Sequence, residues 1–184
     1  MNISIMNSKI LTLTVFMAVA FTAWSEKPKE EKGNLTVKNG DFSDLAGLLE
    51  GADGWFAGMP TGWSGVIDGA YNVRGTVANV STLSQITPSF VPLTQEVGMV
   101  SATSEVTLSF EVSEPWKGEP FILGVAIYDG ITEVPLAKGD FNKTGAYSVK
   151  ANIVPSGARL KIGFWAGTGT PGIDNVKIEV KPLP

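Results

Sequence analysis

The second half of this chain alternates apolar and polar residues with a period of two, a pattern that restricts it to β-strands with one buried face. In residues 105–113, Val106, Leu108, Phe110 and Val112 share a face, with Thr107, Ser109 and Glu111 opposite. In 121–128, Phe121, Leu123, Val125 and Ile127 fall opposite Gly124, Ala126 and Tyr128. Tyr147, Val149, Ala151 and Ile153 repeat the pattern, as do Leu160, Ile162 and Phe164 against Lys161, Gly163 and Trp165. Ile173, Val176, Ile178 and Val180 close the chain, with a phase break at Asp174-Asn175. Turn residues separate the runs at 115–118, Asp129-Gly130, 138–140, 143–145, 155–157 and 167–172. Asp-Gly between apolar runs signals a hairpin. Many short strands at such spacing predict an all-β fold, a sandwich or a barrel.

The first half is less regular. Strands are predicted at 35–38, 63–68, 71–80 and 90–97, one or two helical turns at 44–49, and a glycine-rich loop at 51–62. Residues 1–25 read as a secretory signal peptide. Lys9 precedes an apolar stretch, 10–21, that is shorter than the roughly 20 residues of a membrane span. Ala23-Trp24-Ser25 suits cleavage before Glu26, Ala18-Val19-Ala20 offers a second site, and an uncleaved anchor is the competing reading. Residues 26–33 form a charged linker without an apolar residue, which leaves 34–184 as the folded domain. The expected location is secreted or periplasmic, with no transmembrane segment in the mature chain.

Composition narrows the chemistry. There is no cysteine, so neither a disulfide framework nor a lipid-bearing cysteine after the signal is available. There is no histidine, which removes Ser-His-Asp triads and the common zinc sites. No Gly-Lys-Ser/Thr phosphate loop occurs. A paired-carboxylate glycosidase is formally open, but no acid pair stands in an aromatic-rich setting, so a non-enzyme is expected. Lys9 is the leader's one charged residue, so 13 basic and 18 acidic residues remain beyond it. That acidic balance, without basic clusters, is a poor match for nucleic acid.

Four short segments occur in a telling order: Asn39-Gly40-Asp41-Phe42-Ser43, Met59-Pro60-Thr61-Gly62-Trp63, Leu93-Thr94-Gln95-Glu96-Val97 and Gly172-Ile173-Asp174-Asn175-Val176. Together, across about 34–180, they resemble the galactose-binding-like jelly rolls, which include many bacterial carbohydrate-binding modules. The resemblance implies a two-sheet antiparallel β-sandwich. It also implies a structural calcium ion (Ca2+) held by Asp41 and Asp174 with backbone carbonyls. Ser43 stands where those modules usually carry another acid. The competing reading makes Asp41 a turn cap and Asp174 an acceptor for backbone amides.

Pyranose rings stack their C–H faces on aromatic rings, so the aromatic residues off the core face are the candidate ligand-binding set. By phase, Trp165 and Tyr128 lie off the core face with Gly163, Gly124 and Ala126 between them, as walls and floor of a shallow cleft. A covering loop would instead make Trp165 core. Trp116 sits on a turn, and Trp55 and Phe56 sit in the glycine-rich loop. Trp63 matches a core aromatic of the family. Asn72, Arg74 and Thr76 share a polar strand face. The expected function is a secreted, non-catalytic protein binding a polysaccharide or other glycan. The alternative is a structural or adhesive protein contacting another envelope protein without a sugar site.

Overall fold

The computed structural model describes residues 34–65, 71–75, 77–80, 92–115 and 118–184. Residues 1–33, which the sequence reading assigns to a signal peptide and linker, and Thr76 and Trp116 lie outside the described residues. Eleven strands occur among them: β1 Leu49–Glu50, β2 Trp55–Ala57, β3 Tyr71–Arg74, β4 Val77–Val80, β5 Leu93–Gly98, β6 Ser104–Ser113, β7 Ile122–Asp129, β8 Pro135–Phe141, β9 Gly145–Ile153, β10 Leu160–Thr168 and β11 Gly172–Pro182. They form two antiparallel sheets, ordered β1-β2-β3-β4-β11-β6-β9 and β5-β10-β7-β8. The fold is a jelly-roll β-sandwich.

The alternating residues of the sequence make its core. Val106, Leu108, Phe110 and Val112 of β6 face Leu123, Val125 and Ile127 of β7 and Leu160, Ile162 and Phe164 of β10, all 4% exposed or less. An aromatic chain runs through the layer. Phe42 stacks on Trp63 at 5.4 Å between centroids, Trp63 tilts against Phe164 at 5.9 Å, and Phe164 meets Phe110 edge-on at 5.4 Å. Each such pair adds roughly 0.5–1.5 kcal/mol beyond its burial. Trp63, read as a core aromatic, is 5% exposed, and its indole N–H donates to the Asn39 carbonyl at 3.2 Å.

The phase break at Asp174-Asn175 is a bulge. The β11–β6 register shifts between Asp174 and Lys177, and Asn175 has a φ of 50°. There the opening segment docks. Val176 N donates to the Gly40 carbonyl at 2.9 Å, and a Cβ on Gly40 would collide with the Val176 carbonyl. Only glycine permits that approach of two backbones.

Several expectations for the first half are corrected. Residues 35–38 make no regular strand. Thr36 N bonds to the Val97 carbonyl at 2.8 Å, and the buried Gln95 side chain takes over both polar groups of Lys38. No helix forms at 44–49. The Asn39 amide and the Asp44 backbone bond reciprocally, and Gly47 has a φ of 79°. Trp55–Ala57, expected as loop, is a strand, because Gly51 N closes a turn onto the Trp55 carbonyl and Phe56 pairs with Val73. Residues 71–80 are a hairpin of β3 and β4 rather than one strand, turned at Gly75 with a φ of 58°.

Candidate functional site

The outer face of the four-stranded sheet carries the sequence's candidate cleft. In register, Gly163 of β10 lies between Thr94 of β5 and Ala126 of β7, Lys161 pairs with Glu96 and Tyr128, and Trp165 pairs with Gly124. Directly paired residues project to the same side of a sheet. Trp165 and Tyr128 are therefore on one face, opposite Ile162 and Phe164, and both are half-buried.

The aromatic rings lie down on the sheet instead of standing as walls. A Cβ on Gly124 would run into the Trp165 indole at Cε2, Cζ2 and Nε1. A Cβ on Gly163 would lie 2.9 Å from Tyr128 Cε2, with Pro92 and Thr94 side chains at 3.3 Å. Glycine inside a strand weakens it, and its usual reason is close approach from above. Here the approaching groups are the two rings.

Beside Tyr128 is a hollow of about 420 Å³ lined by Ser64, Gly65, Pro92, Thr94, Glu133 and Lys161. The β7–β8 hairpin supplies Glu133. Its connection folds because the Asp129 carboxylate accepts from Ile131 N and Thr132 N, each at 2.9 Å, while Glu133 N returns to the Asp129 carbonyl. Those amide bonds hold the Asp129 carboxyl below its ordinary range. Glu133 has a φ of 55°, and its carboxylate receives Lys161 Nζ at 2.8 Å across the hollow. The hydrogen bond from Lys161, then its charge, lowers the Glu133 carboxyl. Burial first, and the Glu133 charge second, raise the Tyr128 phenol, so at neutral pH it is a hydroxyl able to donate.

A second hollow, of about 450 Å³, continues past Ser64, Thr94 and Lys161 to Lys38, Gly62, Glu96 and Arg159. Arg159 meets Glu96 at 3.3 Å. The sequence reading did not single out Lys161, although its phase with Gly163 and Trp165 places it on the same face. Glu133 gives no such signal, because only the fold of the hairpin brings it over Lys161.

Trp55 and Arg74 stand elsewhere. They pair across β2 and β3, with the Arg74 guanidinium 5.5 Å from the indole centroid, on the outer side of the seven-stranded sheet. Val73 and Phe56 turn the other way, into the core. The chain thus separates its candidate binding residues into two faces, and Trp116 lies outside the described residues.

Asp41 and Asp174 lie one and two residues along the chain from the two ends of the Gly40–Val176 backbone bond. Asp41 is exposed and accepts from Ser43 N at 3.3 Å and Ser43 Oγ at 3.0 Å, bonds that lower its carboxyl, the hydroxyl foremost. Asp174 accepts from Asn175 N at 2.7 Å. Each acid thus has a local bond of the turn-capping kind. Among the described residues no three Asp, Glu, His or Cys side chains cluster as a metal group. Calcium takes six to eight oxygens, so carbonyls of the docked segment would complete any shell around these two acids.

No protein-family model matches the sequence, and no curated protein matches it. Solved structures share its fold. A cyclase from Fischerella sp. TAU, in complex with 4-(1H-indol-3-yl)butan-2-one, superposes with a TM-score of 0.60 at 16% identity, covering 82% of this chain and 98% of its own. A family 4 carbohydrate-binding module superposes with a TM-score of 0.51 at 19% identity, over 80% of this chain and 99% of the module. The xylan-binding family 22 module of a Paenibacillus barcinonensis xylanase reaches 0.47 at 12% identity, over 83% and 99%. The class defined is the jelly-roll fold of carbohydrate-binding modules. At these identities the likeness is one of fold.

Proposed function

We propose that this chain is an exported, non-catalytic module that binds a glycan on the outer face of its four-stranded sheet. The observation that carries the reading is the pair of aromatic rings laid flat on Gly124 and Gly163, beside a hollow rimmed by hydroxyls and charges. A ring seated on glycine offers its outer face to a sugar, and the rim fixes orientation. The Tyr128 hydroxyl, Ser64, Thr94 and the Lys161–Glu133 pair are the polar contacts. Trp55 with Arg74 is a secondary platform on the opposite side. Among the described residues no helix is long and apolar enough to cross a membrane. Secretion or periplasmic residence follows from the sequence reading of residues 1–25.

The cyclase shows that this fold also carries catalysis, so the argument against an enzyme rests on side chains. Acid catalysis near neutral pH favours a carboxyl raised towards the working pH. Glu133, the carboxyl over the hollow, is lowered instead.

The test is a tryptophan-fluorescence titration of the mature protein with soluble polysaccharides. Saturable binding that Trp165→Ala weakens by roughly thirtyfold, the loss typical of a central aromatic anchor, supports the proposal. Titrations flat across neutral and acidic polysaccharides end it. Calcium at Asp41 and Asp174 belongs to the same proposal. Its check is a calcium-dependent rise in melting temperature that Asp174→Asn removes.

A second reading, contact with another envelope protein, draws on the β7–β8 hairpin, where Ile131, Val134 and Leu136 are 74%, 56% and 43% exposed. Ile131→Asp would abolish such contact and leave glycan binding intact.

A further inference from the structure

We infer that the glycan is acidic and carries uronate carboxylates. This rests on the glycan-binding proposal and names its substrate class. The continuation of the hollow beyond Tyr128 is lined by three cations, Lys38, Arg159 and Lys161, in a chain whose overall charge is −4. Glu96 and Glu133 offset two of them. Lys38 is the remaining one, with no ion pair to an acid among the described residues.

Lys38 is held in place by groups around it. Gln95 is 3% exposed, and its amide spans the Lys38 backbone. Gln95 Oε1 accepts from Lys38 N at 2.6 Å, and Gln95 Nε2 donates to the Lys38 carbonyl at 2.9 Å. The stem of Lys38 lies along Gly62, where a Cβ would sit 3.0 Å from Lys38 Cβ and 3.7 Å from Cδ. Gly62 has a φ of 81°, so a side chain is disfavoured there on both counts. A buried amide and a glycine thus fix the base of an ammonium that borders the hollow and meets no acid among the described residues.

Of the other two cations, Arg159 is the more open, its side chain and that of Glu96 being 63% and 53% exposed. Lys161 is 26% exposed and bonded at 2.8 Å to a Glu133 that is 70% exposed. Exposed ion pairs contribute little to stability. A polymer carrying a carboxylate on successive sugars would stack one ring on the aromatic platform and set its charges along Lys161, Arg159 and Lys38. A neutral polymer would fill the same hollow and leave the Lys38 ammonium without a partner.

The experiment compares alginate and polygalacturonate with xylan and soluble β-glucan, by fluorescence titration of the mature protein at 20 and 500 mM NaCl. Dextran sulfate and poly-glutamate are the anionic controls. The inference expects a uronate polymer to bind at least tenfold more tightly than either neutral one, with the gap closing at high salt as screening grows. Lys38→Ala should lower uronate affinity roughly fivefold, the upper end for removal of one exposed charge pair, and lower any neutral binding by less. Trp165→Ala should lower binding of every glycan. Equal affinity for neutral and uronate polymers overturns the inference and leaves the glycan proposal standing. Binding to none of the glycans overturns both. Dextran sulfate binding as tightly as the uronates overturns the carboxylate assignment. Poly-glutamate binding as tightly means that charge alone is recognised, and overturns it as well.

Discussion

Gly124→Ala adds one methyl group beneath Trp165. The built Cβ meets three atoms of the indole, Cε2, Cζ2 and Nε1, far inside the roughly 3.5–4.0 Å of a carbon contact. The ring therefore has to rise by roughly 1–2 Å. Overpacking a closed core costs about 1–3 kcal/mol. Trp165 is only half-buried, so the cost belongs at the lower end. Alanine also removes the strand penalty of glycine, a gain of roughly 0.5–1 kcal/mol. The net loss is about 0–1 kcal/mol, or at most ~4 °C in melting temperature for a domain of this size. Affinity for the proposed glycan should fall roughly tenfold or more, because the platform has moved relative to the rim. The assay pairs thermal unfolding by circular dichroism with the fluorescence titration. Trp165→Phe and the double variant complete a cycle that isolates the coupling of the two positions. Wild-type affinity and unchanged emission in Gly124→Ala would refute the reasoning, since the indole would then not rest on that glycine.

Other expectations follow from the same geometry. Gly40→Ala drives a Cβ into the Val176 carbonyl, which is backbone and cannot yield; loss of the 2.9 Å bond and of the Phe42–Trp63 seating should cost ~2–3 kcal/mol, seen as a melting point ~5–10 °C lower. The lowered Glu133 carboxyl gives a stabilising contribution that is complete above its unfolded-state range and fades as pH falls through the folded value, so urea unfolding of Glu133→Gln and wild type should converge at acid pH. Ultraviolet titration should find the Tyr128 phenolate forming above the ordinary tyrosine range, and Glu133→Gln should move it part of the way back, leaving the larger burial effect in place.

β6, β7, β9 and β10 were legible because each is long and alternates on its core side. Each carries three or four alternating apolar residues, enough for period two to stand out. β8, Pro135–Phe141, instead lies where a turn was expected at 138–140, because an exposed edge strand carrying Lys138-Gly139-Asp140 shows no apolar alternation. The bulge was legible as a break in that phase, though its purpose, seating Gly40, depends on a contact across more than 130 positions of sequence. The first half was less legible because its polar groups are satisfied by side chains instead of ladders. Gln95 replaces a strand partner for Lys38, and Asn39 with Asp44 replaces a helical turn. β2 is three residues long, too short for any period to show. Of the candidate site, Trp165, Tyr128 and the small residues between them follow from strand phase alone. The posture of the rings does not, since the same phase fits rings standing upright. Nor do Glu133 and Lys38, which arrive from a hairpin connection and from the irregular opening segment, although Lys161 shares the strand phase of Trp165.

The glycines under the two rings also bear on the thermodynamics of recognition. A free aromatic side chain on a sheet samples several rotamers, and a ligand that fixes it forfeits roughly 0.5–1.5 kcal/mol of its binding energy per immobilised group. Gly124 and Gly163 let Trp165 and Tyr128 settle on the backbone before any ligand arrives. The ordering is thus completed during folding, and a weak stacking contact with a single ring face keeps more of its energy as affinity. The surface is preorganised, and its rigidity is set by two residues that have no side chain at all.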